Sequence, residues 1–120
     1  MRVVLGTIPP RARILRQPGE TISERGPVLA VLRRLGRRGI TTVLVEGGAK
    51  VHGAFLAAQL WDELRLFITP KIFGADALSW AGQTRSRSSA VRLQAAERIG
   101  PDLLVICRPG RSVMVRDSSA

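Results

Sequence analysis

Apolar positions fall in short blocks along the chain, each closed by glycine, proline or a polar run. Arg2-Val3-Val4-Leu5 reads as a short buried strand, ended by Gly6 and by the breakers Pro9 and Pro10. Arg11 to Arg16, apolar at Ala12, Ile14 and Leu15, reads as a short extended piece before the turn Gln17-Pro18-Gly19-Glu20. From Pro27 to Arg38 the spacing becomes helical. Val28, Leu29, Val31, Leu32 and Leu35 share one side, while Arg33, Arg34, Arg37 and Arg38 gather on the other and toward the end. Pro27 suits a first helical turn, cations in the last turn complement the negative end of the helix dipole, and Gly39 supplies the stop. Ile40-Thr41-Thr42-Val43-Leu44-Val45 is β-branched and almost wholly apolar, the pattern of a central strand covered on both faces in a parallel sheet.

After Glu46-Gly47-Gly48 a helix is predicted from about Ala49 to Gln59, burying Val51, Phe55, Leu56 and Leu60. Leu64 to Thr69 reads as the next strand, stopped by Pro70, with Ile72-Phe73-Gly74 as a short apolar continuation. Ala75 to Ala90 is loop-like, Val91 to Arg98 and Asp102 to Arg108 predict an antiparallel hairpin around Ile99-Gly100-Pro101, and the tail after Pro109 is polar. Helix, strand, tight turn, helix is an α/β rhythm.

Length confines this pattern to one domain, since 120 residues support a single hydrophobic core. No apolar run approaches the ~20 residues of a membrane-spanning helix, and the first residues are too briefly apolar for a signal peptide, so the expected location is cytoplasmic. Cys107, the only cysteine, has no partner for an intramolecular disulfide or a cysteine-cluster zinc site, and reads as a buried strand residue. The net charge of +10 comes from 17 Arg and only two Lys, Lys50 and Lys71. Such a balance suits nucleic-acid binding. Against it stand the absence of Tyr, only three Phe and two Trp, and no basic helix spaced for a groove, so arginines spread over a solvated surface are the preferred reading.

The candidate chemistry lies where the apolar block Ile40 to Val45 meets the next helix. Ligands of open α/β sheets collect at the carboxyl ends of strands, and the unpaired N–H groups of a following helix attract phosphate. Gly47 and Gly48 let the backbone come close to a dinucleotide pyrophosphate, Ala49, Gly53 and Ala54 keep the first turns small, and Lys50 adds charge. Paired glycines between strand and helix also serve simply to make a tight turn.

The stretch Val43-Leu44-Val45-Glu46-Gly47-Gly48-Ala49-Lys50-Val51-His52-Gly53-Ala54-Phe55-Leu56, with Leu60-Trp61-Asp62-Glu63-Leu64-Arg65-Leu66-Phe67-Ile68-Thr69-Pro70-Lys71-Ile72-Phe73-Gly74, closely resembles the reductase domain of bifunctional riboflavin-biosynthesis deaminase–reductases. The likeness continues through Trp80-Ala81-Gly82 and the final hairpin. It implies a dihydrofolate-reductase-like α/β fold, with a mostly parallel sheet flanked by helices and a C-terminal antiparallel hairpin. It also implies a partial copy of that fold over residues 1–109, with a flexible tail at 110–120. The implied activity is NADPH-dependent reduction of 5-amino-6-(5-phosphoribosylamino)uracil to the ribitylamino product. By matching position, Glu46 contacts substrate, and Gly47, Gly48, Ala49, Lys50, Val51, His52, Gly53 and Ala54 hold the cofactor. Glu46 has the alternative of bonding backbone N–H groups to fix the turn, His52 that of a plain surface residue, and Lys71 is similarly ambiguous.

Relative to that family, the strand and helix that hold substrate and nicotinamide lie upstream of this region. Gly6-Thr7-Ile8-Pro9-Pro10 stands where an acidic ligand contact is expected, and the segment between Gly19 and Pro27 is too short for a further strand. No deaminase domain or zinc-binding histidine and cysteine set is present in the sequence. Three readings follow: a reductase whose site is completed by another copy or another polypeptide, a non-catalytic NADP-binding remnant, and a basic nucleic-acid-associated protein. A homodimer that covers the exposed sheet through the hairpin Val91 to Arg108 is expected.

Overall fold

The computed structural model describes residues 1–82 and 90–110. The chain opens with a strand, β1 (Arg2–Leu5), followed by a 3-10 turn over Arg13–Arg16 in place of the extended piece expected there. A second strand, β2 (Thr21–Glu24), then pairs parallel to β1 in the register Arg2 with Thr21 through Leu5 with Glu24. The segment before Pro27 therefore does accommodate a strand. Four residues suffice because Arg2 ties the connection down: its Nε donates to Thr21 Oγ1 at 3.2 Å, and its two terminal nitrogens donate to Gln17 Oε1 at 2.9 Å and to the carbonyls of Gln17, Pro18 and Gly19 at 3.0, 2.6 and 3.2 Å. A planar five-donor fork satisfies a turn's carbonyls in a way that local turn propensity does not announce.

The first helix, α1 (Val28–Arg37), has Pro27 at its N-cap and buries Val28, Val31 and Leu35, the i, i+3, i+7 stripe of an amphipathic helix. Leu29 faces solvent instead. The Ile40 N–H reaches back to the Leu35 carbonyl at 3.1 Å and closes the last turn at Gly39. Two arginines fasten α1 to β2: Arg34 donates from Nε to Glu24 Oε2 at 2.8 Å and from a terminal nitrogen to the Arg25 carbonyl at 2.6 Å, and Arg38 pairs with Glu20 at 2.7 Å. The second helix, α2 (Ala49–Ala58), packs on α1, buries Gly53 and Phe55, and ends at Gln59, whose φ of 55° turns the chain out of the helix.

Three further strands, β3 (Leu64–Ile68), β4 (Val91–Ile99) and β5 (Asp102–Pro109), form an antiparallel sheet in the order β3-β5-β4. β4 and β5 are the expected hairpin, with a register shift between Leu93 and Ala95 that leaves Gln94 as a bulge. Leu104 and Cys107 on β5 are buried, the cysteine only 6% exposed, as its apolar surroundings in the sequence indicate. Ile72 and Phe73 do not extend β3 and are exposed. Among the described residues parallel pairing is confined to β1 and β2.

The largest departure from expectation concerns residues 40–45. They form no strand, and Val43 and Leu44 are exposed, Leu44 to 79%. Strand geometry persists where neighbouring backbone completes the ladder and side chains are covered on the faces. Among the described residues no strand pairs with this segment, so the two sheets remain separate on either side of it.

Burial predicts where stability resides. Leu35→Ala, at a side chain 2% exposed, should cost about 2–5 kcal/mol in chemical denaturation. Leu44→Ser should shift stability by no more than about 0.5 kcal/mol; a loss as large as that of Leu35→Ala would show that the segment is buried in solution.

Candidate functional site

The expected cofactor turn sits at the start of α2, where Gly48 is the N-cap. The N–H groups of Val51 and His52 are taken by the Gly48 carbonyl at 2.9 and 3.1 Å, and no side chain caps the helix. The N–H groups nearest the N-terminus, together with the positive end of the helix dipole, are what an anionic ligand requires there.

The two glycines differ in what they do. A Cβ on Gly47 would lie 2.9 Å from Val51 Cβ and 3.1 Å from each Val51 methyl carbon, so the chain's own packing excludes a side chain. Gly48 has φ −62° and ψ −178°, open to any residue, and a Cβ there would meet nothing within 4 Å. Its lack of a side chain serves no contact with a described residue and leaves the backbone bare of them there. Of the other expected cofactor residues, Gly53 is buried, Ala49 and Val51 are half-buried, and Lys50 and Ala54 are exposed along the same helix.

Glu46 is exposed just before the turn, and no hydrogen bond or ion pair with a described residue holds its carboxylate. The turn-fixing alternative for this residue therefore finds no support in the geometry. His52 is not a plain surface residue: its Nδ1 lies 3.0 Å from the Trp80 carbonyl oxygen, and the two rings are tilted at 54° with centroids 6.3 Å apart. Lys71 lies exposed beyond β3 and makes no described contact with the turn.

One component escaped sequence reasoning. Residues 79–82 come down on the first turn of α2. Gly82 adopts φ 65°, and a Cβ there would be 3.2 Å from the Ala49 carbonyl oxygen. Ser79 Oγ accepts from the Ala81 N–H at 3.4 Å and donates to the Gly82 carbonyl at 3.3 Å, which shapes the loop internally. Trp80-Ala81-Gly82 stood out as a similarity to a family, but nothing in its spacing locates it beside a helix 30 residues earlier. The site is formed at the surface by the start of α2 and residues 79–82, with Gly48, Lys50, Ser79 and Trp80 exposed. A shallow groove over α1, lined by Leu29, Arg33 and Arg37 among others, and another beside Pro101 share no residue with it. Among the described residues no group of His, Cys, Asp and Glu is arranged to hold a metal, and no helix is long and apolar enough to cross a membrane.

Comparison with known proteins matches residues 7–105 to a family model described as the RibD C-terminal domain. The riboflavin biosynthesis protein RibD of Mycobacterium tuberculosis (strain CDC 1551 / Oshkosh) is 37% identical over 112 residues, covering 88% of this chain and 32% of that protein. The 5-amino-6-(5-phosphoribosylamino)uracil reductase of Buchnera aphidicola is 30% identical over 86 residues, covering 68% of this chain and 42% of the relative. The structure of Acinetobacter baumannii RibD, form 2, superposes with a TM-score of 0.78 at 23% identity, over 91% of this chain and 37% of that one. The chain thus spans about a third of the bifunctional relative it matches and about two-fifths of the reductase.

The contrast between the glycines is testable by thermal denaturation without ligand. Gly47→Ala should destabilise by about 1–3 kcal/mol, because the β-branched Val51 cannot swing away. Gly48→Ala should cost under about 1 kcal/mol. Equal losses would show that Gly48 is also held by packing.

Proposed function

The chain belongs to the RibD C-terminal domain family, and from that premise we propose that it binds NADPH at the start of α2 and serves in reduction of 5-amino-6-(5-phosphoribosylamino)uracil to the ribitylamino product. The observation that carries the cofactor assignment is Gly48, a residue with ordinary dihedral angles and no described atom within 4 Å of where a Cβ would be, set at a helix N-terminus that no side chain caps. The residues fit a dinucleotide. Residues from Gly47 to Ala54 would hold the pyrophosphate, the N-terminus of α2 would balance its charge, and Lys50, exposed on the first turn, would add a cation.

NADPH, when bound, supplies hydride to the sugar carbon bonded to nitrogen, and the ring oxygen gains a proton as the ribose opens. The chain's part is to orient: Glu46, which no described residue pairs with and which immediately precedes the glycine turn, contacts the substrate next to the cofactor. The exposed segment at residues 40–45 leads directly into Glu46 and has no described strand beside it, which favours a site completed by further polypeptide. The same observation supports a second reading, in which the chain binds NADPH without turnover. The expected assembly is a cytoplasmic homodimer built on the outer edge of β4, where Val91, Leu93 and Ile99 are exposed. Nucleic acid is not the expected partner, since Arg34 on α1 and Arg38 at its C-cap are taken up by Glu24 and Glu20.

Titrating the protein with NADPH and following cofactor fluorescence should give saturable binding that Gly48→Val weakens at least tenfold, since a branched side chain fills the approach. No saturable binding to the parent protein would sink both readings. Loss of reduced-nicotinamide absorbance on adding the uracil substrate marks an enzyme, and binding without that loss marks the binding module. Sedimentation equilibrium should return twice the 13.0 kDa chain mass.

A further inference from the structure

Resting on the assignment of a dinucleotide to the start of α2, we infer that His52 is a positioning residue that holds residues 79–82 as a second wall of that site. His52 occupies the first turn of α2, three residues after Ala49, so both lie on one face of the helix. The loop touches that face at these two places. At Ala49 the contact is backbone against backbone: Gly82 comes so near the Ala49 carbonyl that a Cβ would stand 3.2 Å from it. At His52 the contact is polar, with Nδ1 3.0 Å from the Trp80 carbonyl oxygen.

A carbonyl oxygen only accepts, so His52 Nδ1 carries the proton, and the tautomer is set by this contact. His52 is the one hydrogen-bonding link, among the described residues, between the loop and α2; the bonds of Ser79 stay within the loop. Removing the imidazole removes that hydrogen bond and leaves the close backbone approach of Gly82 to Ala49. Trp80, whose ring is tilted over His52 and 50% exposed, is thereby fixed beside the helix start at which the pyrophosphate is placed. The role follows from these two contacts: a loop that is not itself part of the helix is held beside its first turn, and pre-organisation of that wall is reflected in cofactor affinity.

The test uses the full chain in a Trp61→Phe background, which leaves Trp80 as the only tryptophan. His52→Ala should weaken NADPH binding roughly tenfold, the loss of one well-oriented hydrogen bond. It should also raise the accessibility of Trp80 to acrylamide before any cofactor is added, and leave the thermal midpoint near that of the background protein. His52→Asn places an amide nitrogen where Nδ1 sits and should recover most of the affinity and the shielding of Trp80. Equal affinity in His52→Ala and the background protein overturns the inference while leaving the cofactor assignment intact. Failure of Asn to do better than Ala also overturns it, because the hydrogen bond would then not be the operative contact. Absence of NADPH binding in the background protein removes the cofactor assignment and this inference with it.

Discussion

Val31 and Leu35, each 2% exposed, form the buried face of α1, the helix on which α2 packs, and the placement of the candidate site depends on that packing. α1 is in turn fixed to the parallel pair by the Glu24–Arg34 and Glu20–Arg38 bridges. The chain of dependence runs from a few carboxylates on and before β2, through an apolar helix face, to the N-terminus of α2. The bridges are partly exposed and individually weak, worth well under the apolar burial they accompany, so they set orientation more than they supply stability.

At the end of that chain, close approach does the remaining work. Gly47 lies against Val51, which turns the backbone sharply into α2, and Gly82 lies against Ala49, which brings a distant loop to the same turn. Both are places where one methyl group is too much. Gly48 between them is the exception, since no described residue packs where its side chain would be. His52 and Trp80 join the two parts by a hydrogen bond that neither part would be expected to make alone.

The other half of the molecule is a separate antiparallel sheet with its own small core at Leu104 and Cys107. Its outer surfaces carry Phe67, Ile68, Val91, Leu93, Ile99 and Leu103 exposed, and residues 40–45, in the sequence between the two sheets, pair with no described strand. A large exposed apolar surface of this kind is the mark of a surface meant to be covered. It is consistent with a chain that spans only part of the length of its relatives while matching their fold over 91% of its own.

Local pattern alone was enough for α1, α2, β3 and the β4–β5 hairpin, because their apolar spacing, their breakers and their caps all agree. It also located Glu46-Gly47-Gly48 at a helix start, a property of consecutive residues. It could not show β2, which is four residues long and exists because Arg2, 15 to 19 residues away in sequence, satisfies the carbonyls of the turn. Nor could it show that residues 40–45, the most strand-like stretch in the chain, lie unpaired. β-branched character specifies a preference for a ladder, and only neighbouring backbone in three dimensions supplies the ladder itself. The approach of residues 79–82 to α2, and with it the role of His52, likewise arises from contact between segments that no periodicity links.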